Sequence, residues 1–177
     1  MKKKILLIHT NYRNIGGEDI AVNNEIKFLS KNYEVKSVIF SNKKNIFVDF
    51  FIFLFNRNIF IISFLKKEIR DFQPDIAYVH NTWYKGSLSI FKVLNDLNVP
   101  SVLKLHNFRY NCTKTYFSKN HLQQQPFCKA CGYDSKGIFN KYYKNSYIRS
   151  FMVNRFGKAF FKILRDHKIN IVVLTEF

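Results

Sequence analysis

Apolar residues in this chain come in short runs, some unbroken and some at helical spacing, and their alternation predicts an α/β protein. Ile5-Leu6-Leu7-Ile8 is continuous, as expected of a strand covered on both faces of a sheet. Behind Gly16-Gly17, the residues Val22, Ile26 and Leu29 recur at helical spacing, with Ala21 and Phe28 flanking the stripe. Residues 35–40 read as the next strand and 41–45 as its polar exit. A helical stretch over 58–72 stops before Pro74, which disfavours helix in the residue ahead of it. Ile76-Ala77-Tyr78-Val79 is a short buried strand, and Gly86-Ser87 opens a helix with Ile90, Leu94 and Leu97 on one side. Asn98-Val99-Pro100 closes that helix ahead of Val102-Leu103-Lys104-Leu105, and Ile171-Val172-Val173-Leu174 reads as one more buried strand. Strands and helices in this order predict crossover units, hence a Rossmann-like parallel sheet with helices on both faces.

Two segments stand outside the rhythm. The connection over 106–143 is long, and long loops in compact domains are usually functional. Residues 46–65 approach the ~20 apolar residues of a spanning helix. Asp49 and Asn56-Arg57-Asn58 interrupt them, and each central Asp or Arg costs ~2.5 to 3.5 kcal/mol on insertion. A pair of core helices is expected here, with a segment lying in the lipid headgroup region as the alternative.

Length adds that one domain is expected, because 177 residues matches the ~100 to 200 of a typical domain. The 20 Phe and 10 Tyr supply ample apolar surface, so the chain is not a disordered tail. A formal charge of +17 points to an anionic partner, and it is unevenly spread. Residues 1–100 carry 15 basic and 9 acidic side chains, net +6, whereas 101–177 carry 14 and 3, net +11. Joint heavy use of Lys, Asn, Ile and Phe offers a plain compositional origin for part of that excess. Met1-Lys2-Lys3-Lys4 resembles a basic leader, but the apolar run behind it has four residues where a secretory signal needs ~7 to 15. A cytoplasmic location is expected, at the inner face of the membrane if charge and phenylalanines meet lipid.

The candidate chemistry lies at strand ends. In an open parallel sheet the ligand crevice lies beyond the carboxyl ends of the strands. His80-Asn81 and His106-Asn107 follow two of the predicted strands, and Gly16-Gly17-Glu18 follows the loop after the first. A histidine there can hydrogen-bond a hydroxyl or share a proton near neutral pH. His106 is the leading candidate, with His80 behind it, Asn81 and Asn107 as hydroxyl-reading amides, and Arg109 as a partner for phosphate or carboxylate. Gly16-Gly17 permits close backbone approach and positive φ, and amides at the following helix start can hold an anion. Glu18 and Asp19 compete with such an anion for the positive helix end. Cys128-Lys129-Ala130-Cys131 has zinc-knuckle spacing, Cys112 lies upstream, and His121 could complete a four-ligand site. Reduced thiols that pack the loop are the other reading. An odd cysteine count argues against a secreted disulfide framework.

Taken together, Ile5-Leu6-Leu7-Ile8-His9 through Gly16-Gly17-Glu18-Asp19, Pro74-Asp75-Ile76-Ala77-Tyr78-Val79-His80-Asn81, Leu105-His106-Asn107-Phe108-Arg109-Tyr110-Asn111-Cys112 and Leu174-Thr175-Glu176-Phe177 resemble the N-terminal half of family-4 glycosyltransferases of the two-domain GT-B type. The resemblance covers essentially the whole chain. It implies a retaining glycosyltransferase that moves a sugar from a nucleotide-sugar donor to a saccharide or lipid-linked acceptor while surface polysaccharide or glycolipid is built. It further implies that residues 1–177 are the acceptor-side domain, truncated before a second, nucleotide-sugar domain, and inactive alone. By the same resemblance His106 lies beside the transferred sugar, no resident cofactor is required, and donor phosphate departs with help from the second domain. Glu18 is a candidate acceptor contact or base, but the retaining mechanism that the resemblance implies needs no carboxylate from this half. A further cysteine of the family falls where Tyr142 stands here, which weakens the zinc reading. Two other classes fit parts of the chain. A nucleic-acid-binding module suits the charge and the aromatics but lacks a recognised motif; a non-catalytic basic membrane-associated or interaction domain suits the Phe-rich segment and the cysteine loop.

Overall fold

The computed structural model describes residues 2–12, 16–43, 45–106, 110, 141 and 143–173, and the side chains of these except at 46 and 53. The chain divides into two compact units, Met1–His106 with Ile163–Phe177, and Asn107–Lys162. In chain order the elements are β1 (Lys4–Asn11), α1 (Gly17–Leu29), β2 (Glu34–Ser41), α2 (Ile46–Phe55), α3 (Ile59–Phe72), β3 (Ile76–Val79), α4 (Ser89–Asp96), β4 (Ser101–Leu105), α5 (Tyr147–Asp166) and β5 (Asn170–Val173).

All five strands are parallel, in the order β2-β1-β3-β4-β5. The fold is therefore a Rossmann-like α/β sheet, and its strand order reverses between β1 and β3. Side chains alternate across a strand, so the register sorts them by face. Leu6 pairs with Lys36 and Ala77, whereas Leu7 pairs with Ser37 and Tyr78. Glu68 of α3 bonds Lys36 at 2.7 Å, and the Phe64 ring of α3 meets Phe40 edge-on, which puts α3 on the face of Leu6 and Ile8. Glu25 of α1 bonds Lys104 and approaches His80, which puts α1 on the opposite face. Helices thus cover both faces, as the alternation predicts.

The core of this unit is built from the continuous strand runs and the helical stripes together. Leu6, Leu7 and Ile8 are fully buried, beneath Val22 on one side and Leu65, Ile69, Ile90 and Leu94 on the other. Asn45 caps α2 by accepting from the Val48 N–H at 3.2 Å, and Asn56 ends it in the left-handed region at φ 51°. Gln73 ends α3 in the same way, directly ahead of Pro74.

Two expectations need correction. Residues 46–65 do form two helices, but α2 is not a core helix: Ile52 is fully buried, whereas Phe47, Phe50, Phe51 and Phe55 are more than half exposed. The sequence shows how apolar a helix is, not which neighbours cover it. β5 is likewise not a buried strand, since Ile171, Val172 and Val173 are each 43 to 45% exposed. Among the described residues it is an edge strand, paired with β4.

Within the second unit, α5 buries Val153, Phe156 and Phe160, and Tyr110 packs against Phe156 and Phe160 with ring centroids 5.4 and 4.9 Å away. The buried Ser150 donates its hydroxyl to the Ser146 carbonyl at 2.7 Å and accepts from the Tyr143 N–H at 3.0 Å.

Candidate functional site

The first unit gathers its polar interior at the carboxyl ends of β1, β3 and β4, on the face covered by α1. In a sheet of this order, the crevice at the switch between β1 and β3 is where ligands bind. His9 stands at the end of β1, His80 directly after β3, and His106 directly after β4. The register sets His9 beside His80, because Ile8 pairs with Val79 and the His80 N–H continues the ladder to the Ile8 carbonyl at 2.9 Å.

The three imidazoles form a row. His9 meets His80 edge-on with centroids 6.1 Å apart, and His80 stacks on His106 at 5.1 Å. His80 Nδ1 and His106 Nε2 are joined by a 2.8 Å hydrogen bond. On its other side, His80 Nε2 lies 3.3 Å from Glu25 Oε2, within ion-pair reach but without hydrogen-bond alignment. Glu25 also pairs with the Lys104 ammonium and lies near enough to Tyr78 to oppose ionisation of its hydroxyl. At the far end, His9 Nε2 hydrogen-bonds Asp19 Oδ1 at 2.9 Å, and the Gly16 N–H donates to Asp19 Oδ2 at 2.7 Å.

Burial decides the protonation of His80 and His106. Loss of water, then the neighbouring imidazoles and the Lys104 ammonium, hold His80 down to about 3. Loss of water and Lys104 hold His106 down to about 4, with Glu25 pulling weakly the other way. Glu25 is already paired with Lys104, so it does not keep His80 charged. Both rings are neutral near pH 7 and carry one proton each. With the His80 proton on Nε2 facing Glu25, Nδ1 accepts from His106 Nε2–H, and His106 Nδ1 becomes the acceptor end of the row. Burial would raise the Asp19 carboxyl, but the bonds from His9 and the Gly16 amide outweigh it and hold it below the ordinary range. Tyr78 is pushed up to about 12, by burial first and Glu25 next.

The surrounding loops are tied by amides. Asn81 is buried; it donates to the Thr10 carbonyl at 2.9 Å and accepts from the Trp83 N–H at 2.9 Å, so this amide fastens the loop after β3 to the end of β1. Asn42, just past β2, accepts from the Tyr84 and Lys85 N–H groups and donates to the Asn11 and Trp83 carbonyls. Gly86 has no room for a side chain, since a Cβ there would collide with Thr10 Oγ1 and lie 3.1 Å from the Thr82 carbonyl oxygen. His9 Nδ1 and Thr10 Oγ1 are buried at this switch point without hydrogen-bond partners among the described residues.

Of the residues singled out in sequence, His80 and His106 are in contact, and Gly16 reaches the same row through Asp19 and His9. Gly16 caps α1 in the extended conformation at φ −120°, so it makes no use of positive φ. Gly17 has open space where a Cβ would stand, which leaves that backbone approachable. Glu18 accepts from the Tyr12 hydroxyl at 2.9 Å, and with Asp19 it occupies the positive end of α1. Asn107, Arg109, Cys112, His121, Cys128 and Cys131 lie outside the described residues. Among the described residues no group of three or more His, Cys, Asp or Glu side chains is arranged to hold a metal.

Asp19, Glu25 and Lys104 were not among the expected site residues. Their signal is nonetheless present, because Glu25 interrupts the stripe of Val22, Ile26 and Leu29, and Lys104 interrupts an apolar strand. Charges at such positions are rarely buried unless paired.

No protein-family model matches the chain, and no curated protein matches it. Among solved structures, an F420-dependent methylene-tetrahydromethanopterin dehydrogenase in complex with methylene-tetrahydromethanopterin and coenzyme F420 is similar at a TM-score of 0.39 and 16% identity. The match covers 59% of this chain and 34% of that one, so the present chain corresponds to about a third of the dehydrogenase's length. A likeness of that size carries no argument about function.

Proposed function

We propose that the chain is the acceptor-side Rossmann-like half of a retaining GT-B glycosyltransferase, which transfers a sugar from a nucleotide-sugar donor to a saccharide or lipid-linked acceptor in surface polysaccharide or glycolipid synthesis. The observation that carries the reading is the hydrogen-bonded pair of neutral histidines at the ends of β3 and β4, backed by Glu25. It stands where the sequence resemblance expects the transferred sugar.

The arrangement suits reading of sugar hydroxyls rather than strong base catalysis. A neutral imidazole whose second nitrogen is fixed by a hydrogen bond presents one defined acceptor, and an imidazole held down to about 4 is a weak base. The role assigned to His106 is therefore to orient a sugar hydroxyl. His80 and Glu25 fix the His106 tautomer, and Gly17 lets a ligand approach α1. Departure of the donor phosphate is assigned to a second domain, in keeping with the resemblance.

The test is transfer itself. The protein expressed from its complete gene is incubated with radiolabelled nucleotide sugars and a membrane extract that supplies acceptors. Label entering a lipid or polymer fraction, with the anomeric configuration of the donor kept, is the expected result. Folded protein that transfers from no donor, or inverts the configuration, would overturn the reading.

A further inference from the structure

α2 is an inside-out helix. Its one acidic residue, Asp49, turns inward, where its main-chain carbonyl accepts from the Tyr84 hydroxyl at 2.8 Å and its carboxylate lies 3.5 Å from the Lys85 ammonium. The arc of the helix opposite Ile52 and Asp49 carries Phe47, Phe50, Phe51 and Phe55, all facing solvent, with Phe47 81% exposed. A surface helix of a soluble protein has the reverse arrangement. Just past Asn56, the first turns of α3 are apolar and exposed as well: Ile59 and Phe60 are 63% and 69% exposed and Phe64 nearly half exposed. On α2 the Phe50, Phe51 and Phe55 rings touch, with centroids 6.4 and 6.2 Å apart, and a clustered exposed apolar surface of this kind marks an interaction site.

The charge around the patch selects its partner. Asp49 of α2 is engaged with Lys85 and Glu68 of α3 with Lys36, which leaves Asp71, near the far end of α3, as the other acidic residue of the two helices. Exposed cations surround it: Lys43 ahead of α2, Arg57 between the helices, and Lys67 one turn beyond Phe64 on the same side of α3. Aromatic side chains over an apolar arc, flanked by Lys and Arg, are the composition of a helix that lies in the plane of a lipid interface. Ten residues make a helix of about 15 Å, half the ~30 Å of a hydrocarbon core, so α2 can enter the interface but not span it. No helix among the described residues is long and apolar enough to cross a membrane.

We propose that the α2–α3 face docks this protein on an anionic lipid bilayer, with Phe47, Phe50, Phe51, Phe55 and Phe60 inserted at the headgroup–acyl boundary and Lys43, Arg57 and Lys67 over anionic headgroups. The proposal stands apart from the reaction chemistry and fails or succeeds independently of it. Each cation near such a surface strengthens partitioning about fivefold, and the inserted phenylalanines supply the part that salt does not screen.

The full chain is sedimented with vesicles of phosphatidylcholine alone or mixed with phosphatidylglycerol. The expected result is binding to the mixed vesicles that weakens with salt. The double variant Phe47→Ser with Phe51→Ser should lose about tenfold or more in partitioning, and Arg57→Ser with Lys67→Ser should lose most of the salt-sensitive part. Phe50→Trp, compared with the wild type whose Trp83 supplies the baseline, reads insertion by the added quenching from lipids brominated along the acyl chain, and settles the matter even if the serine variants fold poorly. No binding to mixed vesicles at low salt, no added quenching in Phe50→Trp, or a folded Phe47→Ser with Phe51→Ser variant that binds like the wild type would each overturn the proposal. So would self-association abolished by those serines in a protein that ignores vesicles, which would give the face to a second copy of the chain.

Discussion

The neutral pair of His80 and His106 makes acid lability an intrinsic property of the fold, and His80 is the residue that exposes it. In the unfolded chain its imidazole titrates near 6.5, and in the folded protein at about 3. Between those values the unfolded state binds a proton that the folded state refuses, so stability falls as pH falls; above 6.5 both states are neutral and full stability is present. Each pH unit inside the window costs about 1.4 kcal/mol per proton. Acidification from 6.5 to 4.5 therefore removes about 3 kcal/mol through His80 alone, a large share of the ~5 to 15 kcal/mol that holds a typical protein folded. His106 adds to the loss down to about 4, by less than its full shift because solvent reaches its ring. Asp19, whose pKa is lowered, contributes in the same direction only in more acidic solution. Urea unfolding at a series of pH values measures the effect, and at ~2 to 3 kcal/mol per molar the His80 contribution is a midpoint shift of about 1 M or more. In His80→Asn the slope of stability against pH should flatten by about one proton. Equal slopes in wild type and variant, or a wild type that gains stability between pH 6.5 and 4.5, would refute the buried neutral pair.

Other perturbations test neighbouring parts of the site. Gly86→Ala forces a Cβ against Thr10 and the Thr82 backbone, so it should cost about 1 to 3 kcal/mol and lower the midpoint of thermal unfolding by several degrees; an unchanged midpoint would show that the loop after β3 does not press on β1. Glu25→Gln leaves the Lys104 ammonium, with only a tenth of its side chain exposed, lacking its counter-charge, for an expected loss of up to about 3 kcal/mol. Glu25→Leu combined with Lys104→Met should recover most of that loss, and a double variant as unstable as the single one would argue against the pairing.

The fold was legible wherever local pattern and neighbour agree. β1 and β3 hold continuous apolar runs and β4 one broken by Lys104, all flanked by helices, and Pro74 and Pro100 stand where a helix gives way to the next strand. His80 and His106 could be paired in advance because the strand-end rule needs only the order of elements. What the sequence left hidden depends on contacts between distant elements. The bond of His9 to Asp19 spans a loop, and Glu25 meets Lys104 across 79 positions, so each is visible in sequence only as a charge in an apolar context. α2 and β5 show the opposite failure. Their apolar runs imply burial, yet only a neighbour can supply it, and among the described residues β5 has a partner strand on one side. The amide of Asn81 was read as a reader of hydroxyls, whereas its two bonds to backbone make it a fastener of the loop that positions His80.

The most direct measurement is sugar transfer by the protein from its complete gene, compared between wild type and His106→Ala, with thermal unfolding followed on the same samples. His106 stands just past the end of β4, bonded to His80 and partly open to solvent, so its removal should spare the fold. The account expects unfolding midpoints within a few degrees of each other and a rate lower by about 10² or more, as for a lost positioned polar group. Transfer by His106→Ala at the wild-type rate would contradict it and leave the histidine row as packing.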